Sequence, residues 1–206
     1  MARPREFDEG AVLDAAALCF WARGYEGTSV KDLVEHTGIT AASLYNAFGD
    51  KRMLFSRALE RYADRSMRSL IRRLESERSP GNAIREFFDA LIERSLADPR
   101  RRGCLIVNSA LEVSPHDAEL RQVIAGYLGE IEAFFHRCVA RGQADGAINA
   151  EIDARDTARH LLCMVLGIRV TARCIPERGV LEGMVRPALE LFENKPPKTA
   201  RAAARI

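Results

Sequence analysis

Apolar side chains recur at steps of three and four residues along almost the whole chain. Val12, Ala16, Cys19 and Phe20 form one stripe, Phe55, Leu59 and Tyr62 a second, and Ile84, Phe87, Phe88 and Leu91 a third. Leu120, Ile124, Tyr127, Ile131, Phe134 and Cys138 make the longest. That spacing follows the 3.6-residue turn of an α-helix, and no stretch shows the alternation of a half-buried strand. The pattern predicts an all-α chain of about nine helices. Cap residues place the breaks. Asp8 opens the first helix and Gly24 closes it; Thr28 or Ser29 opens a short second helix that stops at Gly38. Thr40 opens a short third, and Asp50 a long fourth that ends near Ser79-Pro80-Gly81. Helices over about 82–97, 104–112, 117–143, 154–174 and 180–193 follow.

Composition narrows the class. The 206 residues are 47% apolar and 29% charged, enough for a sizeable core under a well-solvated surface. Net charge is only +2, and residues 1–60 hold seven Lys/Arg against nine Asp/Glu. Nucleic-acid binding would therefore depend on where charges stand, not on their total. Five cysteines at wide spacings, Cys19, Cys104, Cys138, Cys163 and Cys174, fit reduced thiols better than a disulfide framework. The polar N-terminus does not read as a signal peptide. The longest apolar run, Leu161 to Ile168, is too short to span a bilayer. A cytoplasmic protein is expected.

The most informative stretch is Ser29–Leu54, SVKDLVEHTGITAASLYNAFGDKRML. Two short helices meet at Thr37-Gly38-Ile39, where glycine tolerates the positive φ that a tight turn needs. Leu33, Val34, Ile39 and Leu44 are spaced to pack two helices at a steep angle, which is helix-turn-helix geometry. In such a unit the second helix enters the major groove. Its first residues here, Thr40, Ala41, Ala42 and Ser43, are small. They let the backbone approach, and they offer methyl and hydroxyl contacts. Tyr45 can reach a phosphate, and Lys51 on the first turn of the next helix can hold one with nearby N–H groups. The expected DNA-facing set is Thr28, Ser29, Thr40, Ala41, Ala42, Ser43, Tyr45, Asn46 and Lys51. Arg3 and Arg5 are candidates for an N-terminal arm.

Residues from about Asp8 to Leu59 resemble the DNA-binding domain of the TetR family of bacterial repressors. Phe20, Gly24, Tyr25, Thr28, Gly38, Ile39, Leu44, Tyr45, Phe48, Lys51 and Leu54 carry the resemblance. It departs at Val34, Thr37 and Asn46-Ala47, where the family often has alanine or, at the last pair, histidine or an aromatic. The resemblance implies a homodimer that represses transcription from a palindromic operator and leaves it when an effector binds. It also implies that the last two helices pair with those of a second copy. Leu161, Val165, Ile168, Leu181, Met184, Ala188 and Phe192 are the expected interface. A ligand cavity in the body is likewise implied, with Phe87, Phe88, Leu91, Cys104, Asn108, Leu111, Phe134 and Met164 as candidate lining.

The chain thus divides into a DNA-binding head (1–55), an effector and dimerisation body (56–193) and a basic tail (194–206) expected to be disordered. Cys104 follows Arg100-Arg101-Arg102 at a helix start, a setting that favours thiolate, so a thiol-reactive effector is one reading and a small buried side chain the other. His160 and Cys163 lie three apart on one helix, but no further ligands accompany them, and no metal or cofactor is expected. An enzyme would need a catalytic or phosphate-binding motif, and the sequence has no GxSxG, P-loop or HExxH. A helical protein-binding adaptor would not need the Gly38 turn followed by a slim helix and Lys51.

Overall fold

The computed structural model describes residues 7–191, and these are all-helical: nine helices and no strand. Arg3, Arg5, Phe192 and the basic tail lie outside the described residues. Helix α1 (Glu9–Arg23) starts where the Asp8 carboxylate accepts from the N–H groups of Gly10 and Ala11. Its buried face, Val12, Ala16, Cys19 and Phe20 among others, packs on α2 (Val30–Thr37) and on the start of the fourth helix, while α3 (Ala41–Phe48) is held between those two. Phe20 and Phe55 meet edge to face at 4.9 Å, and Tyr25 closes the cluster 4.7 Å from Phe55. Each fully buried apolar side chain of this kind contributes about 1.5–3 kcal/mol.

Helix α4 connects head to body. It runs through Lys51–Ala63, a single π-helical stretch Asp64–Arg68, and Ser69–Glu77 without leaving helical backbone angles. Such wide turns inside α-helices are frequent at functional sites. The body adds α5 (Pro80–Leu96), α6 (Leu105–Glu112), α7 (Ala118–Ala144), α8 (Ala154–Cys174) and α9 (Arg178–Leu191). Four phenyl rings from α5 and α7 form its centre: Phe88 stacks on Phe135 at 5.6 Å, and Phe87 meets Phe134 and Phe135 at 5.4 and 5.0 Å. Among the described residues, no helix is long and apolar enough to cross a membrane.

Two groups of expected positions need correction. Leu161, Val165, Ile168, Leu181 and Ala188 are already buried inside the protomer, so they cannot supply an exposed dimer surface. Helix α8 is apolar on several sides only in its middle, Leu161 to Ile168, and the protomer's own core takes the phase of Leu161, Val165 and Ile168. The more accessible phase is Leu162, Leu166 and Val170, one α-helical turn apart, the first two half-buried and Val170 47% exposed; on α9 Val180 is exposed and Met184 half-buried, the latter lying against Gly167 of α8. In the cavity set, Leu111 is 67% exposed and lines nothing internal. Phe88 and Phe134 fill the phenyl cluster, and Met164 is buried outside the cavity walls. Asn108 serves the loop before α6, donating to the Arg102 carbonyl at 2.8 Å. Phe87, Leu91 and Cys104 do line a small internal cavity of about 40 Å³.

Candidate nucleic-acid interface

The turn between α2 and α3 is built from caps. The Ser29 hydroxyl accepts from the Asp32 N–H, while the Asp32 carboxylate accepts from the Ser29 N–H at 2.9 Å, a reciprocal capping box. Gly38 ends α2 in the left-handed region (φ 72°, ψ 9°), and its N–H donates to the Val34 carbonyl at 3.0 Å. Thr40 then takes extended angles and caps α3, its hydroxyl accepting from the Ser43 N–H at 3.2 Å and donating to the Ser43 hydroxyl at 3.0 Å.

Helix α3 buries Leu44 and Phe48 and turns its other side outward. Thr40, Ala42 and Asn46 are exposed; Ala41, Ser43 and Tyr45 are half-buried, with the Tyr45 ring resting on the head core. The exposed surface is slim and uncharged, fit for close approach to base edges and thymine methyls rather than for guanidinium–guanine pairing. Lys51 opens α4 beside it, and its Nζ lies 4.5 Å from the centroid of the Tyr25 ring, which holds the ammonium at the head surface. The expected N–H cradle there is smaller than the spacing suggests, because the Asp50 carboxylate already accepts from the Met53 N–H at 2.7 Å.

One expected contact is corrected, and the other, Ser29, stands exposed as a cap. Thr28 is fully buried, and its hydroxyl donates to the Gly24 carbonyl at 2.5 Å, so it shapes the α1–α2 loop from within. Ser29 is exposed, but its hydroxyl is engaged in the capping box with Asp32.

Sequence reasoning missed the residues that fasten head to body. The Glu112 carboxylate, last in α6, accepts from the Tyr25 N–H at 3.1 Å and the Glu26 N–H at 2.9 Å. Arg52, beside Lys51, makes a forked pair with Asp117 at 2.6 and 3.0 Å and reaches Glu119 at 2.8 Å. The Arg52 guanidinium and the Leu120 N–H hold the Asp117 carboxyl well below the usual carboxylate range. These partners stand 65 to 87 residues apart in the chain, so no local pattern announces them. Head orientation is thereby tied to the start of α7 and the end of α6.

The chain is similar to known proteins over both its head and its body. Residues 12–58 match the family model of bacterial regulatory proteins of the tetR family, and residues 80–186 match the tetracyclin repressor-like C-terminal domain. The chain is 35% identical to the HTH-type transcriptional regulator YezE of Bacillus subtilis (strain 168) over 195 residues, covering 94% of this chain and 100% of that one. It is 32% identical over 172 residues to the HTH-type transcriptional repressor ComR of Escherichia coli (strain K12), covering 83% and 82%. A cysteine-substituted form of the TetR family transcriptional regulator CifR, solved in complex with 26-base-pair double-strand operator DNA, superposes with a TM-score of 0.82. The identity is 33%, over 93% of this chain and 100% of that one. The chain belongs to the TetR family of DNA-binding transcriptional regulators.

Proposed function

We propose that this regulator is a homodimeric repressor. Each copy lays α3 in the major groove of one half of a pseudo-palindromic operator, and an effector in the body releases it. The observation that carries this is the exposed Thr40–Asn46 surface, presented at the end of a capped turn with the Lys51 ammonium beside it. CifR, similar over nearly its whole length, is a regulator solved on operator DNA, and ComR is named a repressor. Dimerisation is supported by the outward stripe Leu162, Leu166 and Val170 on α8, an apolar surface that a second copy would bury. Release is supported by the two clasps, since a shift of α6 or α7 pulls directly on the head and changes the spacing of the two reading helices. In this reading the protein works in the cytoplasm, at the nucleoid, and has no catalytic role.

Genome-wide occupancy followed by gel shifts on the recovered fragments tests the proposal. Binding should weaken steeply with salt, because phosphate neutralisation releases counterions. Lys51→Gln removes one phosphate contact from each of two heads, so the slope of log K against log salt should fall in magnitude by about 2. An absence of binding at low salt would favour the adaptor or enzyme readings, and an unchanged slope would remove Lys51 from the interface.

A thiol-reactive effector is the second reading, favoured by the position of Cys104. It is half-buried at the start of α6, lines the inner cavity, and receives a long hydrogen bond from the Tyr62 hydroxyl at 3.8 Å. Arg102 is not a free charge beside it, since it pairs with Asp98 at 3.1 Å. Cys104→Ser should bind operator normally and no longer leave it on treatment with an alkylating electrophile. Release at the parental dose would eliminate this reading.

A further inference from the structure

Head and body do not close completely on one another. An open cleft of about 550 Å³ lies between α1, the π-helical stretch of α4, the loop after α5, and α8. Behind it is the inner cavity of about 40 Å³, and the two share Tyr62, Ser66, Arg94 and Arg169 as walls. On the head side Ala17, the half-exposed Leu18 and the indole of Trp21 form an apolar wall, with Asp14 as the one charged residue that α1 adds to the lining. The Trp21 Nε1–H is sheltered from solvent and finds no acceptor among the described residues, an uncommon condition for a buried donor.

The charge lining the cleft is unbalanced. Four arginines and two aspartates contribute, an excess of two positive charges. Arg65 is paired with Asp14, and Arg102 with Asp98, its guanidinium 4.0 Å from the centroid of the Trp21 ring. Arg94 and Arg169 bond instead to neutral oxygens: Arg94 to the Ser66 carbonyl at 2.7 Å, Arg169 to the Ser95 hydroxyl at 3.1 Å. Partial loss of hydration, and then the like charge of Arg169, lower the Arg94 pKa below the ordinary guanidinium value. Two guanidiniums that repel each other beside an apolar wall are matched by a ligand with a carboxylate at one end and a flat apolar body at the other.

We propose that the cleft between α1 and the body binds a small aromatic carboxylate, its anion held by Arg94 and Arg169 and its ring laid against Trp21 and Leu18. This deepens the effector reading above and rests on it only for the consequence at DNA. Both the head helix α1 and the body supply walls, so an occupant acts as a strut between them and sets the angle at which the head leaves the body.

Trp21 is the single tryptophan of the chain, so its emission reports the cleft alone. The full-length protein is titrated, without DNA, with phenylacetate, with neutral phenylacetamide and with cationic phenethylamine. Phenylacetate should give a saturable change in emission at submillimolar concentration, and the other two should bind at least about tenfold more weakly, the equivalent of one charge-assisted contact. Arg94→Gln and Arg169→Gln should each erase that preference while melting no lower than the parent, and Arg94→Lys, which keeps the charge, should retain part of it. Equal affinities for the three probes, silence of all three up to millimolar concentration, or full preference in both glutamine variants would overturn the site. Operator binding is read separately by gel shift, so a failed cleft leaves the repressor reading standing, and failed DNA binding leaves the cleft standing.

Discussion

Ala42→Glu abolishes operator binding and leaves the melting temperature almost unchanged. Ala42 is exposed on the outward side of α3, opposite the buried Leu44 and Phe48, and it makes no contact on which the fold depends. Surface substitutions of this kind usually stay within about 0.5 kcal/mol, or roughly 1–2 °C for a chain of this size. In the groove the effect is different. A carboxylate at this position faces phosphates and the acceptor edges of bases, loses its water and gains no cation, since Lys51 stands at the other end of the reading helix. Like-charge juxtaposition at an interface costs several kcal/mol. A dimer incurs it twice, so at about 1.4 kcal/mol per decade the loss passes roughly a thousandfold. Fluorescence anisotropy on labelled operator at fixed salt, beside a thermal melt, measures both quantities. The isosteric Ala42→Gln separates charge from bulk, because it should lose far less affinity. A glutamate variant that binds within a few-fold of the parent would mean that α3 does not enter the groove.

Features specified by a few neighbouring residues were legible in the sequence. The Gly38 turn, the Thr40 and Asp50 caps and the helix stop at Gly24 each depend on one residue's backbone angles or one side-chain oxygen within reach of an N–H. The exposed surface of α3 is local in this sense, with Thr40, Ala42 and Asn46 facing solvent. The outward side of α8 was not legible because the middle of that helix carries apolar residues on both sides. Periodicity identifies a stripe, but it cannot say which of two apolar stripes the protomer keeps, and here Leu161, Val165 and Ile168 turn inward while Leu162, Leu166 and Val170 turn out. Pro187 inside α9 and the π-helical stretch in α4 escaped for a related reason: tertiary packing tolerates what local propensity disfavours. The cleft was the least legible feature. Its walls come from Asp14, Tyr62, Arg94 and Arg169, four separate helices whose juxtaposition no window of the sequence contains.

Gly24→Ala should lower the stability of the whole chain by about 2–4 kcal/mol and loosen the head from the body. Two independent costs meet at this residue. Its backbone (φ 79°, ψ 173°) lies in a region that is essentially glycine-only, where another residue pays of order 1–3 kcal/mol. An added Cβ would also stand 2.7 Å from both oxygens of the Glu112 carboxylate, closer than any real contact. That carboxylate must then retreat, and the N–H groups of Tyr25 and Glu26 lose their shared acceptor. Hydrogen bonds to charged groups are worth about 1.5–3 kcal/mol when sheltered and less at the partly exposed surface found here. Against a total of about 5–15 kcal/mol the sum is large, and at 2–4 °C per kcal/mol it predicts a fall in melting temperature of roughly 10 °C. A double-mutant cycle with Glu112→Ala separates the two costs. If the carboxylate is the obstacle, removing it relieves the clash, and Gly24→Ala costs less in the Glu112→Ala background than in the parent by more than about 0.5 kcal/mol. Strict additivity would assign the whole effect to backbone angles and would remove the clash, though not the clasp. The same cycle followed by operator affinity shows what the clasp does. Glu112→Ala leaves α2 and α3 intact and frees only their attachment to α6, so a change in operator affinity in that variant reports the head's orientation and not its reading surface.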